Sequence, residues 1–360
     1  MFRAALFCLA AVISYLVTDR LVNAPPHWKA LDLPNERSSH THPTPRLGGL
    51  GVVAAFLLTL PLLWIMLSDG EAVEQAALKL GLALIGYLVV AAVGLIDDLR
   101  SLGPLTKYIG QLVAAIVAVW GGVLLTEVTL PFGWQISLGI FSVLVTIIWL
   151  TGFSNIFNFM DGIDGLAGGC GVIYGLALAV VCFGTSHRVL GAGSLVVAAA
   201  CLGFLVHNFP PAKIFLGDVG SLFIGYVLAA LAVVAASSGE QRVPFIAVLL
   251  IFGPFLYDGI FTLLRRLRRG EKLYLPHRSH LYQRLVIAGN SHRRVSLTYY
   301  ALSLLLGAGG IAYTFLGDGA RLIILLLSAM VLSAFTLYVY YIEALIGRAE
   351  RVSVAEMASR

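Results

Sequence analysis

The sequence predicts an all-α, polytopic membrane protein of about 10–11 transmembrane helices, with its reactive loops at the cytoplasmic side. Three observations predict this. Of the 360 residues, 59% are hydrophobic and 12% charged, with a mean hydropathy of +0.90, whereas soluble domains carry roughly 25% charged residues. Apolar runs of about 17 to 25 residues, each able to cross ~30 Å of hydrocarbon, recur from end to end. Lysine and arginine then fall unevenly between the loops that join them.

Eleven such runs can be marked, at 4–18, 47–67, 77–96, 108–125, 136–152, 171–184, 189–206, 222–237, 243–264, 295–315 and 321–342. The first and sixth are the shortest, which sets the range of the count. Residues 1–17 resemble a signal peptide in having Arg3 before an apolar stretch. Asp19, Arg20 and Asn23 follow without a small-residue cleavage pattern, so the run reads as a span. With the N-terminus outside, all but five of the 24 cations lie inside; the exceptions are Arg3, Lys79, Arg188, Arg242 and Arg321. The net charge of +5 is thus a topology signal and does not point to nucleic acid. Cys8, Cys170, Cys182 and Cys201 lie in or beside apolar spans without metal-ligand spacing and read as small hydrophobes. No linker or low-complexity tract interrupts the chain, so residues 1–360 form one integral-membrane domain.

The unusual polar residues gather in the inner loops, and the outer loops near Ser68, Thr126, Thr185, Ser238 and Gly317 are short and bland. A carrier would place ionisable groups at mid-bilayer on broken helices. Asp97-Asp98 closes the third run; adjacent helical positions point about 100° apart, so the two carboxylates have different tasks. A solvated helix end is the plainer reading of that pair. Asn155, Asn158, Asp161 and Asp164 repeat at intervals of three in a segment punctuated by Gly162, Gly165, Gly168 and Gly169. Helical spacing of three puts such groups on one side, and the glycines allow a ligand close approach. The segment 208–221 carries Asn208, Lys213, Phe215 and the turn Gly217-Asp218-Val219-Gly220-Ser221, where helix-start amides attract phosphate and Asp218 is placed to hold a metal. Asp218 as a helix cap, and Lys213 as an ordinary inside cation, are the alternatives. His277, Arg278, His280, Tyr282 and Arg284 follow in the basic loop 265–294. The two histidines lack a third ligand for zinc, and the Arg and His content suits a diphosphate; anionic headgroups explain Arg265, Arg266, Arg268 and Arg269. The first inner loop adds Arg37, His40 and Arg46, with Arg46 or His40 near phosphate.

Taken in order from about residue 32 to 285, these motifs resemble those of the polyprenyl-phosphate N-acetylhexosamine-1-phosphate transferases. That superfamily includes phospho-MurNAc-pentapeptide translocase and the enzymes that start O-antigen. The matching strings are R-S-S-H and P-R-L-G-G within 37–49, Asp97-Asp98, N-x-x-N-x-x-D-G-x-D-G-L-A from Asn155, P-A-K-I-F-L-G-D-V-G-S ending at Ser221, and H-R-S-H-L-Y-Q-R-L from His277. The resemblance implies that Asp218 coordinates Mg²⁺, with Mn²⁺ as a substitute, and that Asp97 and Asp98 serve the lipid phosphate and catalysis. It gives Asn158, Asp161 and Asp164 to the nucleotide site, Phe215 and Asn208 to uracil, and His277 and His280 to the family's histidine motif. H-R-S-H stands where the translocase has consecutive histidines, and eleven spans where it has ten. Both departures favour the O-antigen-initiating branch.

The implied reaction moves a sugar phosphate from a UDP-amino sugar to undecaprenyl phosphate at a bacterial inner membrane, with membrane lipids as surroundings and homodimerisation left open. Phosphoryl transfer between polyanions is mostly positioning and charge neutralisation. Direct attack by the lipid phosphate is preferred, and an aspartyl-phosphate on Asp97 or Asp98 is the alternative. An anionic-solute transporter accounts for the spans but not for carboxylates clustered beside glycines; an inactive scaffold would not need intact motifs.

Overall fold

The computed structural model describes residues 2–25, 30–32, 43–65, 73–239, 241–272 and 277–358. The Arg37 and His40 expectations therefore lie outside the described residues.

The chain is a bundle of helices, as its uninterrupted apolar runs require: in hydrocarbon every backbone N–H and C=O must be satisfied within the segment. Among the described residues, eight helices are long and apolar enough to cross a membrane. They include α1 (Phe2–Val22), α3 (Val73–Arg100), α5 (Ser142–Phe159), α6 (Leu166–Gly184), α7 (Arg188–Asn208), α8 (Gly217–Ser237), α12 (His292–Phe315) and α13 (Asp318–Ala358). Two shorter apolar helices are α2 (Gly49–Ile65) and α4 (Pro104–Trp120). The run at 243–264 is a broken pair, α9 (Phe245–Ile251) and α10 (Gly253–Arg268), bent by 82°. Pro254 in the first turn of α10 explains the break, because it has no N–H to continue the ladder. Each of the eleven predicted runs thus corresponds to one of these elements. A short helix α11 (Leu281–Ile287) follows α10.

Helix α8 is the axis of the bundle, with 94% of its most apolar stretch buried. Its Ala229, Ala230, Ala232, Ala235 and Ala236 are small enough to let α3 and α5 pack closely. Polar groups in the interior close locally or across helices. Ser154 donates to the Leu222 carbonyl (2.9 Å), Trp149 Nε1 to that of Ala229 (3.1 Å), and Tyr226 to that of Ala114 (2.7 Å).

The bland outer loop expected near Thr126 is more structured than that. Strands β3 (Glu127–Thr129) and β4 (Gln135–Ser137) form an antiparallel hairpin, tied to the rest by the Arg242–Glu127 ion pair. A second two-residue pairing joins β1 (Leu31–Asp32) and β2 (Thr44–Pro45). These strips are too short to carry a period-two hydrophobic pattern, which is why sequence reading passes over them.

Candidate active site

The C-terminal ends of α3, α5, α7 and α10 and the N-terminal ends of α4, α6, α8, α11 and α12 meet at one end of the bundle. All the described site candidates lie there. The keystone is the start of α8. Gly217 has φ +71°, and a Cβ there would meet the Arg46 carbonyl at 2.1 Å and Asp98 Oδ2 at 2.6 Å, so only glycine fits. The turn aims the first α8 amides at Asp98, which accepts from Asp218 N (3.1 Å) and Val219 N (2.9 Å). A carboxylate from α3 thereby caps α8 in place of a local residue. Arg46 in turn donates to the Asp98 backbone carbonyl. The strip 45–49 is hydrogen-bonded alongside, through Phe215 N to the Pro45 carbonyl (2.7 Å) and Gly49 N to that of Leu216 (2.8 Å).

One residue away, Asp97 turns to the centre. Its Oδ1 accepts from Leu102 N (2.8 Å) and its Oδ2 pairs with Lys107 Nζ (2.9 Å). The same ammonium reaches Asp218 Oδ2. Asp218 Oδ1 accepts from Asn158 Nδ2 (2.9 Å), which lies 2.8 Å from Ser221 Oγ. Asn155 and Gln111 pair amide to amide between α5 and α4, fixing the face on which Asn158 projects. Two carboxylates thus converge on a single cation.

Lys107 and Asn158 separate this centre from a cleft of about 430 Å³ lined also by Tyr108, Asp161, His277, His280 and Tyr282. Burial, with Asp218, Asp98 and Asp164 nearby, pushes the Asp161 carboxyl well above the usual carboxylate range. Asp161 thus places a third carboxyl group, in its neutral form, beside the two that meet Lys107. Gly162 lacks the Cβ that would strike Tyr282 Oη at 2.1 Å, and Tyr282 donates to the Phe159 carbonyl (2.9 Å), closing the cleft wall.

His277 is half-buried, with Ser279 Oγ at 2.9 Å from Nδ1. Burial first, then His280 and Arg266, hold its ring down to about 4, so it is neutral at pH 7. The sign is fixed by linkage: between pH 6.5 and 4 the unfolded chain binds a proton that the native ring refuses, so stability falls as pH falls through this window. Melting of purified protein from pH 7 to 4.5 should therefore be less pH-sensitive in His277→Gln than in the wild type. Equal slopes would contradict the assignment.

Several sequence candidates stand elsewhere than expected. Asn208 is buried, its Oδ1 accepting from Gly165 N and its Nδ2 donating to the Ile214 carbonyl, both at 2.9 Å. It braces the 160–165 loop, its side-chain amide bonded there to backbone groups. The Phe215 backbone is hydrogen-bonded to the 45–49 strip, through Pro45 and Gly48, and the residue is not among those lining the cleft. Lys213 is exposed and likewise absent from the cleft wall. Asp164 accepts from Ala212 N (3.0 Å) and faces His292 Nδ1 (3.3 Å), tying three loops together. Arg284 grips Glu343 through Nε (2.6 Å) and lies over the Tyr340 ring (4.3 Å), pinning α11 to α13. Lys107 and Gln111 were not singled out for the site in sequence. A lone lysine at a helix start reads as topology, although three residues after Pro104 it sits on the inward face.

The membrane bundle thus gathers paired carboxylates, an ammonium and two histidines around a cleft at one end. The model of glycosyl transferase family 4 matches residues 80–236, which hold Asp97, Lys107, Asn158, Asp161 and Asp218. The chain is 35% identical to decaprenyl-phosphate N-acetylglucosaminephosphotransferase of Mycobacterium leprae, over 81% of this chain and 78% of that one. It is 32% identical to the probable undecaprenyl-phosphate N-acetylglucosaminyl 1-phosphate transferase of Bacillus subtilis, over 78% of this chain and 76% of that one. Phospho-N-acetylmuramoyl-pentapeptide-transferase of Halalkalibacterium halodurans is 34% identical over 73% of this chain and 81% of its own length. The chain belongs to glycosyl transferase family 4, within the polyprenyl-phosphate sugar-1-phosphate transferase superfamily.

Proposed function

We propose that the protein transfers N-acetylhexosamine-1-phosphate, or a deoxy derivative, from a UDP-sugar to undecaprenyl phosphate, releasing UMP. The observation that carries this is the convergence of Asp97 and Asp218 on Lys107 behind a cleft lined by Asp161 and two histidines. The names of the relatives support N-acetylglucosamine as the first sugar to test and a cell-envelope glycan as the destination. H-R-S-H in place of consecutive histidines supports an O-antigen type of product over a peptidoglycan precursor. The clustering of cations in the loops of the site end supports a cytoplasmic orientation at the inner membrane.

Asp97 and Asp218 are the residues to hold Mg²⁺. Their hard oxygen donors suit it, and Mg²⁺ uses one or two protein carboxylates and completes its shell with water and substrate phosphate. When bound, the ion supplies charge for the diphosphate and the departing UMP. Lys107, released from one carboxylate, is free to meet a phosphate oxygen, and Asn158 keeps Asp218 aimed. Asp98 holds the α8 turn that sets the distance between Asp97 and Asp218.

The test is a panel of UDP-N-acetylhexosamines and their 6-deoxy forms, given to purified protein with undecaprenyl phosphate and Mg²⁺. Mass analysis should find a lipid diphosphate carrying one sugar and one UMP per product. Release of UDP, or product from none of the panel, would refute the reading.

A further inference from the structure

Helix α10 carries an acidic residue that none of the foregoing uses. Asp258 is fully buried, in the apolar half of a bent membrane helix, where an isolated carboxylate is costly. It is not isolated. Its Oδ1 accepts from Leu281 N (2.9 Å), Thr262 Oγ1 (3.1 Å) and His280 Nδ1 (3.1 Å); its Oδ2 accepts from Tyr299 Oη (2.5 Å) and Tyr282 N (3.2 Å).

A carboxylate surrounded by donors and carrying no proton can only accept, so the hydrogen on the Asp258–His280 contact belongs to Nδ1. In the neutral form of the ring this leaves the lone pair on Nε2. His280 is 2% exposed, its Nε2 is buried with no hydrogen-bond partner among the described residues, and its ring lines the cleft. Phe159, His277 and Tyr282 surround the ring, with centroids at 6.1, 5.0 and 5.8 Å, so it has little room to turn. The same carboxylate also takes the first amides of α11, so one buried group sets both the ring and the helix that follows it. A buried acceptor left unmatched is costly unless something fills the need during function.

We propose that Asp258 is a positioning residue, which orients His280 so that Nε2 takes the proton of the acceptor lipid's phosphate. The inference rests on the proposed transfer for its kinetic readout. A phosphate monoester has its second pKa at about 6, so a share of the acceptor enters with a P–OH group. In the step, that proton passes to Nε2 as the acceptor oxygen forms a bond to the sugar-bearing phosphorus. The bond from that phosphorus to the UMP oxygen breaks, and UMP leaves with the electron pair. The imidazolium is held by the Asp258 carboxylate until it returns its proton to water.

Asp258→Asn keeps the shape of the side chain but lets an amide N–H face Nδ1 and favours the wrong tautomer. General base contributions are about 10²–10⁴-fold, so kcat should fall by about 10²-fold or more in Asp258→Asn and in His280→Gln. The KM for UDP-sugar should change by no more than about twofold, and the double variant should be no slower than the single ones. Tyr299→Phe removes a donor from Oδ2 and lies off the cleft; it should lose no more than about threefold in kcat. ¹⁵N spectra of histidine-labelled protein should show His280 protonated at Nδ1 in the wild type and shifted toward Nε2 in Asp258→Asn. Near-wild-type kcat in Asp258→Asn would overturn the proposal, as would a rise in donor KM alone, additive losses in the double variant, or equal losses in Tyr299→Phe. Should the wild type show no transfer at all, the proposed function fails, and the ¹⁵N spectra still decide the Asp258–His280 pairing.

Discussion

Asp218→Asn should lower kcat by on the order of 10²–10³, the range that loss of one charge-stabilising group costs, and should raise the Mg²⁺ concentration needed for half-maximal rate. Two effects add. An amide oxygen is a poorer ligand for a hard dication than a carboxylate oxygen. The substitution also leaves Lys107 with Asp97 as its partner and places an amide beside Asn158, whose Nδ2 now donates to Asp218 Oδ1. The measurement is initial rate against Mg²⁺, with thermal stability recorded in parallel. Because Asp218 does not cap its own helix, stability should change little. Full activity at the wild-type Mg²⁺ optimum would refute the metal assignment.

The adjacent carboxylates of α3 should fail in opposite ways. Asp97 contacts the Lys107 ammonium, so Asp97→Asn should lose kcat by a similar factor and leave melting nearly unchanged. Asp98→Ala should instead lower stability by about 1–3 kcal/mol, since it strands the Asp218 and Val219 amides at the buried start of α8. Its activity should fall too, through displacement of Asp218 rather than loss of a group in the cleft. Denaturation midpoints and rates of both variants, side by side, make the comparison. A stable Asp98→Ala beside an unstable Asp97→Asn would invert the roles.

Much of this was legible in the sequence. The eleven apolar runs follow from hydropathy alone, and each is helical because a segment in lipid has no other way to satisfy its backbone; that two of them are short and one is broken by 82° was not legible. The four polar strings were legible as a site because ionisable groups at one interface need a reason to be there. What sequence could not settle was which member of each acidic pair is turned toward the cleft. Asp161 lines it and Asp97 meets Lys107 just behind it, whereas Asp98 and Asp164 are occupied by backbone amides of α8 and of the 208–213 loop. That division depends on contacts 48 to 121 residues apart along the chain, which no local spacing encodes. The contact of Asn208 with Gly165, 43 residues away along the chain, was hidden for the same reason. Lys107 was hidden by its setting, since every inner loop has cations. Asp258 was hidden by its isolation, as one acid in an apolar run whose partners come from α11 and α12.

The most direct test of the central claim is UMP release by purified wild-type and Asp97→Asn protein, given UDP-N-acetylglucosamine with undecaprenyl phosphate, Mg²⁺, both or neither. Direct attack by the lipid phosphate requires stoichiometric UMP from the wild type only when both are present, and almost none from Asp97→Asn under any condition. A burst of UMP equal to the enzyme concentration without the lipid would instead show an enzyme-bound sugar phosphate. Release that ignores both the lipid and Mg²⁺, or that survives intact in Asp97→Asn, would contradict the placement of a sugar-phosphate transfer at this site.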